Sequence, residues 1–409
     1  MSRHLPTHLP AAGAPVQPWN RQRLRSNNEW LLLELLRTGG SSSRAQLARD
    51  TGLSKPTVSA ALAALEQAGL AREAGRSVPE RGRTAVLYEA DPTAGHVLGV
   101  DIGRARLRVA VADLAGRIVA RRDVPNRGRT ADAVADAVVA AARETIAEAG
   151  LTAGGIVHSV IGSPGVWDER RRGVRYATNL PGWGRPGLFD RIADGLETAI
   201  TVANDANLAA LGEFALGAGQ GSRVFAYLLV GTGLGVGVVK DGELLAGAHG
   251  AAGEVGLLPL PGRPAGEPAG TIEQVAGADA VVRTALGLGM PGPLTAKQVF
   301  DAARSGDPLA AGAVQQEAEQ LAYAVAVLTA VLDPDLVVLG GGVGGSADLL
   351  LEPLERALHR LSPLRTRLAP SLLGEEAVLL GAVSTALEIA RPEVFGRRSG
   401  ATAQGLSGS

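Results

Sequence analysis

The sequence contains no cysteine, which excludes both disulfide bonds and a thiolate-bound zinc site. It also lacks a run of about eighteen uncharged apolar residues, the length that a membrane-spanning helix needs. Its first residues, MSRHLPTHLPAAGAP, do not contain the apolar stretch of a secretory signal. These absences predict a soluble, cytoplasmic protein, and 409 residues with 46% hydrophobic side chains suffice for two or three globular domains.

The chain has almost no net charge, with a formal value of −1, but its charged residues are unevenly distributed. Residues 1–90 hold 12 Lys and Arg against 7 Asp and Glu, a charge of +5, which leaves −6 for the rest of the chain. The front of the chain is therefore basic and the remainder acidic.

The pattern of residues divides the chain into four parts. Residues 1–20 are rich in proline and residues 396–409 are small and polar, so we expect both to be disordered tails. Near Asp91 short helical segments give way to alternating strand-like runs. This change predicts a boundary between a domain at 21–90 and a larger domain at 91–395.

The larger part alternates strand-like runs with helical stretches, which predicts an α/β architecture. Two passages with the pattern strand, glycine turn, strand lie at 97–111 and 225–244, in separate halves. We therefore expect two similar α/β lobes with a cleft between them. The helical stretches lie around residues 130–149, 205–217, 275–287, 309–332 and 374–391.

The front part contains a helix-turn-helix pattern in the segment RAQLARDTGLSKPTVSAALAALEQAGL. Gly52 permits the turn, and Ser54 can accept a hydrogen bond from the free amides of the next helix. In that helix we expect a buried apolar stripe, formed by Val58, Leu62 and Leu65. The exposed face is then small, polar and basic, as a helix in the DNA major groove requires. Its residues are Ser54, Lys55, Thr57 and Ser59.

The next stretch, AREAGRSVPERGRTAVLYEAD, alternates like a β-hairpin with Gly82 at its tip. It carries four arginines, Arg72, Arg76, Arg81 and Arg83, and arginines on such a wing suit phosphate or minor-groove contact. Helix, turn, helix and basic wing together predict a winged helix-turn-helix DNA-binding domain, with Arg81 and Arg83 among its DNA contacts. The alternative is a three-helix packing module whose charges are only solvated.

One acidic residue of the larger domain stands out by its position. In VANDANLAALGE, Asp205 follows a strand and opens a helix, whose dipole favours a carboxylate there. A carboxylate in that place could also accept a proton from a hydroxyl group. The alternative for Asp205 is a structural helix N-cap.

Several motifs occur together with the helix-turn-helix segment and in a fixed order, namely LGVDIG, NLPGW, ANDANLAALGE, VGTGLGVGVV, AAGEVG and DPDLVVLGGGV. With them the chain closely resembles the ROK family, which joins sugar kinases to winged-helix transcriptional repressors. The resemblance runs from about residue 25 to 392. It implies a two-lobed, actin-like and hexokinase-like ATPase fold for the ROK domain at 91–395, and the winged helix places the chain among the regulators.

The resemblance also implies roles for individual residues of a sugar site. Asp205 matches the general base that activates the sugar hydroxyl in the kinases, where it is the catalytic residue. The other matching positions would bind the sugar: Gly165, Thr178, Asn204, Glu254 and Glu273.

The zinc motif of the family is missing from this chain. After GE the family has Gly-His, whereas this chain has Leu257, and the cysteine positions fall near Pro264, Gly266 and Thr271. With none of four ligands left, a tetrahedral zinc site cannot form, so we expect no bound metal. His249, a possible substitute for the missing His, lies eight residues upstream of Leu257.

The phosphate motif is altered as well. Family kinases read DxGGT at the first hairpin, whereas this chain reads Asp101-Ile102-Gly103-Arg104-Ala105. A long side chain replaces a glycine there, and the Thr hydroxyl is lost. The second hairpin and the glycine loop near 341 keep their glycines. The nucleotide-site residues that the resemblance implies are Asp101, Gly103, Gly231, Thr232, Gly233 and Gly341, and we expect no requirement for ATP or magnesium.

These observations favour a sequence-specific DNA-binding transcriptional repressor whose kinase-like domain senses a sugar or sugar derivative. Its partners would be a double-stranded DNA operator and a sugar, and a homodimer or homotetramer is the predicted assembly. One alternative is an ATP-dependent sugar kinase with an attached DNA-binding domain. Another is a DNA-binding protein that responds to no ligand.

Overall fold

The computed structural model describes residues 21–77, 84–177, 182–260 and 270–399, with side chains from residue 24 onward. Within these ranges, no helix is both long enough and apolar enough to cross a membrane. The predicted tail at 1–20 lies outside the described residues.

The N-terminal domain consists of three helices and a small antiparallel sheet of order β1-β3-β2. Gly52, with φ +72°, ends α2, and the Ser54 hydroxyl accepts the Thr57 amide to begin α3. This arrangement confirms the winged helix-turn-helix prediction. The elements are α1 (Arg21–Gly39), β1 (Ser42–Ser43), α2 (Arg44–Thr51), α3 (Lys55–Gln67), β2 (Ala71–Ser77) and β3 (Ala85–Ala90).

The first lobe is built on a five-stranded sheet of order β10-β7-β4-β5-β6, in which β4, β5 and β6 form an antiparallel meander and β4, β7 and β10 are parallel. Helices α4 and α5 cover one face. The elements are β4 (His96–Ile102), β5 (Arg106–Asp113), β6 (Ile118–Pro125), α4 (Ala131–Glu148), β7 (Ile156–Ser163), β8 (Val166–Asp168), β9 (Gly173–Arg175), α5 (Leu188–Leu196), β10 (Ile200–Asn204) and α6 (Asp205–Leu216).

The second lobe repeats this topology, with strand order β13-β12-β11-β14-β15, an antiparallel meander and two further parallel strands. The prediction of two similar α/β lobes is therefore confirmed. The elements are β11 (Val224–Val230), β12 (Leu234–Lys240), β13 (Glu243–Leu244), α7 (Ile272–Val275), α8 (Ala278–Gly287), α9 (Ala296–Arg304), α10 (Pro308–Leu332), β14 (Leu336–Gly340), α11 (Gly341–Gly344), α12 (Ala347–Leu361), β15 (Arg367–Pro370) and α13 (Ala377–Ser399).

Helices α6 and α13 form a shared layer between the two sheets. Helix α13 packs on β4 and β7 of the first lobe, α6 packs on β11 and β12 of the second, and the two helices pack on each other. The helices cross so closely that a Cβ atom at Gly381 would lie 1.8 Å from the carbonyl oxygen of Leu208. Only glycine fits at that crossing, which joins the lobes.

The N-terminal domain does not end cleanly at Asp91. Its apolar core includes Ala94, in a short 3₁₀ turn, and Val394 and Phe395 from α13. The rings of Trp30 and Phe395 meet edge to face, with their centroids 5.1 Å apart. The winged helix is therefore packed against the last helix of the larger domain.

The predicted C-terminal tail begins too early. Helix α13 continues through Gly396 to Ser399, so the expectation of disorder is wrong for these four residues. Arg397 pairs with Glu393 one turn earlier, and Arg398 bonds to backbone carbonyls of the N-terminal domain. These contacts stabilise a last turn whose local sequence reads as polar and glycine-rich. Residues 400–409 lie outside the described residues.

Candidate functional site

The cleft between the lobes begins at the junction of β10 and α6. Asn204 is the N-cap of α6: its side-chain oxygen accepts the Asn207 amide at 3.1 Å, and its Nδ2 donates to the Gly165 carbonyl at 3.2 Å. Among the described residues, the second N–H and the second lone pair of the Asn204 amide have no partner, so both could serve a ligand. The structure thus brings Gly165, Asn204 and Asp205 together, as the resemblance implies.

Asp205 is the first residue of α6 and not its cap, so the structural alternative for this carboxylate is wrong. Its Oδ1 accepts the neighbouring Ala206 amide at 2.8 Å. Burial above all, together with the nearby charges of Asp101 and Glu254, raises the pKa of Asp205 to about 7. A carboxyl group with such a pKa exchanges a proton readily near neutral pH.

In the second lobe, Glu254 lies close enough to Asp205 for their charges to interact, and Glu273 lies close enough to Glu254. Burial raises the pKa of Glu254, and the charge of Glu273 adds to the effect. Glu273, in α7, accepts the Leu234 amide at 3.3 Å and so lies against the second glycine turn. Asp205, Glu254 and Glu273 therefore form one acidic cluster, with acceptors for several hydroxyl groups.

Other parts of the predicted sugar and zinc regions are only partly described. Thr178, Pro264 and Gly266 lie outside the described residues. Leu257, which stands where the family has His, ends a short 3₁₀ turn and is 46% exposed, and Thr271 caps α7. His249 is exposed, and only its backbone carbonyl has a described contact, with Arg175. Among the described residues, no group of three or more His, Asp and Glu side chains is arranged to hold a metal ion.

The first glycine turn, between β4 and β5, carries an ion-pair network. Asp101 is 5% exposed and accepts from Arg108 Nη1 at 3.1 Å, and Arg108 also contacts Asp123 and Glu375. The pKa of Asp101 is raised to about 6, because the effect of burial exceeds the opposite effect of the Arg108 charge. The carboxylate that would face a magnesium ion is thus already paired with a guanidinium.

Arg104 of the same turn reaches the opposite lobe. Its Nη1 lies 3.5 Å from Oδ2 of Asp279, in the first turn of α8, and both side chains are exposed. Gly103 is held by a bond from its amide to the Arg106 carbonyl at 3.0 Å. Where family kinases have a bare glycine turn, this chain places an ion pair across the mouth of the cleft.

The second glycine turn is open by comparison. Gly231 donates to the Gly233 carbonyl at 3.0 Å, and Thr232 is half-buried. Within the described part of the chain, a Cβ atom at Gly231 would meet nothing within 4 Å. The turn is supported from below, because the Gly231 carbonyl accepts the Ala278 amide at 2.8 Å. The resemblance-derived residues Gly231, Thr232 and Gly233 are therefore assembled at the cleft.

A buried acid supports this second turn. Glu317 of α10 is 3% exposed and accepts the Gly277 amide at 2.7 Å, directly before α8. Burial raises the pKa of Glu317 to about 8, which keeps the side chain protonated at neutral pH. Gly341 follows β14 with φ +83°, and a Cβ atom there would lie 2.6 Å from the Val230 carbonyl oxygen, so the glycine loop packs closely on β11.

The candidate DNA-binding face lies on α3. Val58, Leu62 and Leu65 are buried as predicted, and Lys55 is exposed at the N-terminal end. Ser54 and Thr57 hydrogen-bond each other through their hydroxyls at 2.8 Å, and Ser59 is half-buried. The exposed stripe continues along the helix through small residues and one amide, namely Ala60, Ala63 and Gln67.

The wing is present as the hairpin of β2 and β3, but its tip, with Arg81 and Arg83, lies outside the described residues. Arg76 is exposed on β2. Arg72 is paired within the hairpin: its Nε donates to Glu89 at 2.8 Å, and the side chain also faces Asp91. It fastens the base of the hairpin, because Arg72 and Glu89 are cross-strand partners.

Sequence reasoning missed four residues that the structure places at functional positions. The hairpin register of β4 and β5, which pairs positions 101 and 108, could have revealed Arg108. Asp279 and Glu317 come together with the cleft only through the packing of α8 and α10. Arg398, at the end of α13, falls in the stretch predicted to be a disordered tail.

Comparison with known proteins gives two family matches. The model described as ROK family matches residues 97–389, and the model described as MarR family matches residues 26–83. Among relatives, the xylose repressor of Caldicellulosiruptor bescii is 25% identical over 385 residues, 89% of this chain and 96% of its own. The glucokinase of Streptomyces coelicolor is 31% identical, over 72% of this chain and 98% of its own.

Solved structures agree with these matches. A ROK family glucokinase from Streptomyces griseus, determined with glucose and AMPPNP, is 31% identical, with a TM-score of 0.61 over 73% of this chain and 99% of its own. A ROK family transcriptional regulator, homolog of the E. coli MLC protein, has a TM-score of 0.73 over 92% of this chain and 99% of its own. At 22% identity this second structure shows the fold alone. The matched residues and the two-lobed structure together show that the chain belongs to the ROK family.

Proposed function

We propose that this chain is a sequence-specific DNA-binding transcriptional repressor whose ROK domain binds a sugar or sugar derivative without phosphorylating it. The observation that carries the proposal is the exposed N-terminal face of α3 in a winged helix that is packed on the end of the ROK domain. The similarity to xylose repressors along 89% of this chain supports the same two-part organisation.

The DNA-binding part of the proposal rests on shape and charge. Helix α3 offers a narrow face without bulky side chains, with Lys55 at its start and Gln67 at its end. Small residues let the helix approach base edges in the major groove, and the amide can donate and accept. We propose that two copies act together, as a homodimer or homotetramer, because helix-turn-helix proteins commonly read paired half-sites.

The sugar part rests on the acidic cluster. Asp205, Glu254 and Glu273 supply carboxylate acceptors, and Asn204 supplies an N–H donor, a set that suits a ligand with vicinal hydroxyl groups. The residues at the first turn do not fit a magnesium nucleotide. Asp101 is neutralised by Arg108, and Arg104 occupies the turn that a phosphate would approach. We therefore infer sugar binding without a phosphoryl donor.

The DNA-binding part is tested with a duplex that the full chain selects from a randomised library. Lys55→Ala should weaken binding about tenfold and lower the slope of log affinity against log salt by about 1, because one phosphate contact is lost. Lys297→Ala is the matched control, since it removes an exposed lysine from α9 in the second lobe. Equal salt slopes for wild type and Lys55→Ala would contradict phosphate contact by Lys55.

The sugar part is tested by thermal shift with D-xylose, D-glucose and N-acetyl-D-glucosamine. A binding sugar should raise the melting temperature and release the selected duplex, and Asp205→Asn should abolish both effects. The competing function is an ATP-dependent sugar kinase, which the open second turn favours. Coupled ATP turnover on the same sugars decides between them, since turnover that Asp205→Asn abolishes would overturn the non-enzymatic proposal.

A further inference from the structure

The C-terminal end of α3 is capped by a side chain from another domain. A helix leaves its last carbonyl groups without intrahelical partners, and a cation near them is favourable because it opposes the helix dipole. Helix α3 has no basic residue in its own last turn. Arg398 of α13 supplies a positive charge just beyond the end of the helix. Its Nη1 lies 3.4 Å from the carbonyl oxygen of Ala68, the C-cap, and 3.1 Å from that of Gly69, the next residue.

The same guanidinium also binds the connection between the domains. Its Nη2 donates to the carbonyl of Ala94, the last residue of the 3₁₀ turn that leads from the wing into β4. One turn earlier on α13, Phe395 packs in the winged-helix core. Two turns earlier, Arg391 donates to the Leu114 carbonyl, from Nη2 at 2.9 Å and from Nε at 3.1 Å. The end of α13 is thus joined to α3, the proposed recognition helix, to the connection between the domains and to the first lobe.

The other end of α13 packs on α6, the helix that begins at the sugar site. Helix α13 crosses α6 at Gly381, and a Cβ atom at Gly212 of α6 would lie 2.5 Å from the carbonyl oxygen of Ala377. Helix α6 itself begins at Asp205 of the acidic cluster, with Asn204 as its N-cap. Because packing at such a crossing leaves no free space, a shift of α6 relative to the first lobe must displace α13 or break the contact.

We propose that α13 transmits the state of the sugar site to the recognition helix, and that Arg398 is the positioning residue that fixes the C-terminal end of α3. The inference rests on the proposed function, in which a sugar changes DNA binding. A sugar that moves α6 would then turn α3 through α13, because both ends of α13 are held by close contacts.

The experiment compares Arg398→Ala with Arg397→Ala in the full chain. Arg397→Ala is the matched control, because this substitution removes the same charge from the same turn of α13. The ion-pair partner of Arg397 is Glu393, which lies on α13 itself and not in the N-terminal domain. Amide hydrogen exchange is measured for residues 62–70, at the end of α3, with and without D-xylose and D-glucose. The affinity for the library-selected duplex and the melting-temperature shift caused by each sugar are measured in parallel.

We expect Arg398→Ala to raise exchange at residues 62–70 several-fold, to weaken duplex binding about tenfold and to abolish the sugar-dependent change in both. Its sugar-induced melting shift should equal that of wild type, which a general loss of folding would not allow. Arg398→Lys should give an intermediate result, since one ammonium keeps the charge but cannot reach three carbonyls. Arg397→Ala should behave as wild type.

Wild-type exchange at residues 62–70 in Arg398→Ala, or an equal loss in Arg397→Ala, would overturn the role of Arg398. A full sugar response of DNA binding in Arg398→Ala would overturn transmission through this contact. Failure of the proposed function has a different signature: wild type would then bind no selected duplex or no sugar. Faster exchange in Arg398→Ala than in Arg397→Ala would still support the Arg398 cap in that case.

Discussion

The first and second lobes share one strand order, yet the side-chain contacts at their two glycine turns, where a phosphate would bind, are different. The turn between β4 and β5 carries Arg104, which reaches Asp279, and its Asp101 is paired with Arg108. The turn between β11 and β12 has open space above Gly231 and is supported from below by α8. The topology is therefore the same in both lobes, whereas only the second keeps a surface that a phosphate could approach.

This difference shows that a two-lobed kinase-like fold does not require an intact phosphate turn. The sheets are held by their apolar faces and by the α6–α13 layer, and these apolar clusters do not include the residues of the two turns, 103–105 and 231–233. Side chains at the cleft can therefore change without cost to the core, and the cleft can keep its sugar acceptors while losing its phosphate contacts. Four changes test this contrast.

The largest expected effect concerns the buried acid below the second turn. The pKa of Glu317 is about 8 in the folded protein, whereas its ordinary value is 4.5. Between these two pH values the folded state therefore binds a proton that the unfolded state has released. The stability that Glu317 contributes is complete below about pH 4.5 and is lost as the pH rises to about 8. Glu317→Gln should remove up to about 1.4 kcal/mol per pH unit from the slope of stability in that window.

Urea denaturation at several pH values measures this slope. Glu319→Gln on the exposed side of α10 is the matched control and should leave the slope unchanged. If Glu317→Gln and wild type have parallel pH profiles, the carboxyl group is not the proton-binding support of the second turn.

The next effect tests where glycine is required in the second lobe. Gly341 has φ +83°, and a Cβ atom there would lie 2.6 Å from the Val230 carbonyl oxygen. Gly341→Ala should therefore lower the free energy of unfolding by about 3 kcal/mol. Gly231→Ala, where the Cβ atom meets open space, should cost less than about 1 kcal/mol. Equal costs in urea denaturation would show that the two glycines are not distinguished by packing.

A third change converts the first turn toward the family motif. Arg104→Gly combined with Ala105→Thr removes the obstructing side chain and restores the hydroxyl group. We expect the affinity for AMPPNP, measured by calorimetry, to rise about tenfold, since each new hydrogen bond to a phosphate oxygen contributes about 1 kcal/mol or more. Arg106→Gly, on the same hairpin but paired with Asp123, is the control and should have no such effect. An unchanged affinity would mean that Arg104 is not what obstructs the turn.

The smallest effect concerns the ion pair across the cleft. Arg104 and Asp279 have exposed side chains and lie 3.5 Å apart, so solvent screens their attraction. Arg104→Ala should lower stability by less than about 1 kcal/mol at low salt, and the difference should vanish in high salt. A larger, salt-independent loss would mark Arg104 as part of the core between the lobes.

Much of the fold and part of the site could be predicted from the sequence. The spacing of Val58, Leu62 and Leu65 predicts the buried stripe of α3, and the alternation of strands and helices predicts both lobes. The family motifs correctly group Asn204 and Asp205 with Gly165. The pairing of Arg72 with Glu89 could not be predicted, because Glu89 becomes its neighbour only through strand pairing.

The sequence by itself determined the elements whose signals are local: helices with an apolar stripe, turns that need glycine, and the missing cysteines that rule out thiolate-bound zinc. Local signals persist because each depends on residues a few positions apart. Only the tertiary structure decided that Arg104 faces Asp279 across the cleft, and that Arg398 caps the recognition helix from about 330 residues away. Such contacts depend on how whole elements pack, and packing is set by the sum of many small apolar contacts that no short stretch of sequence contains.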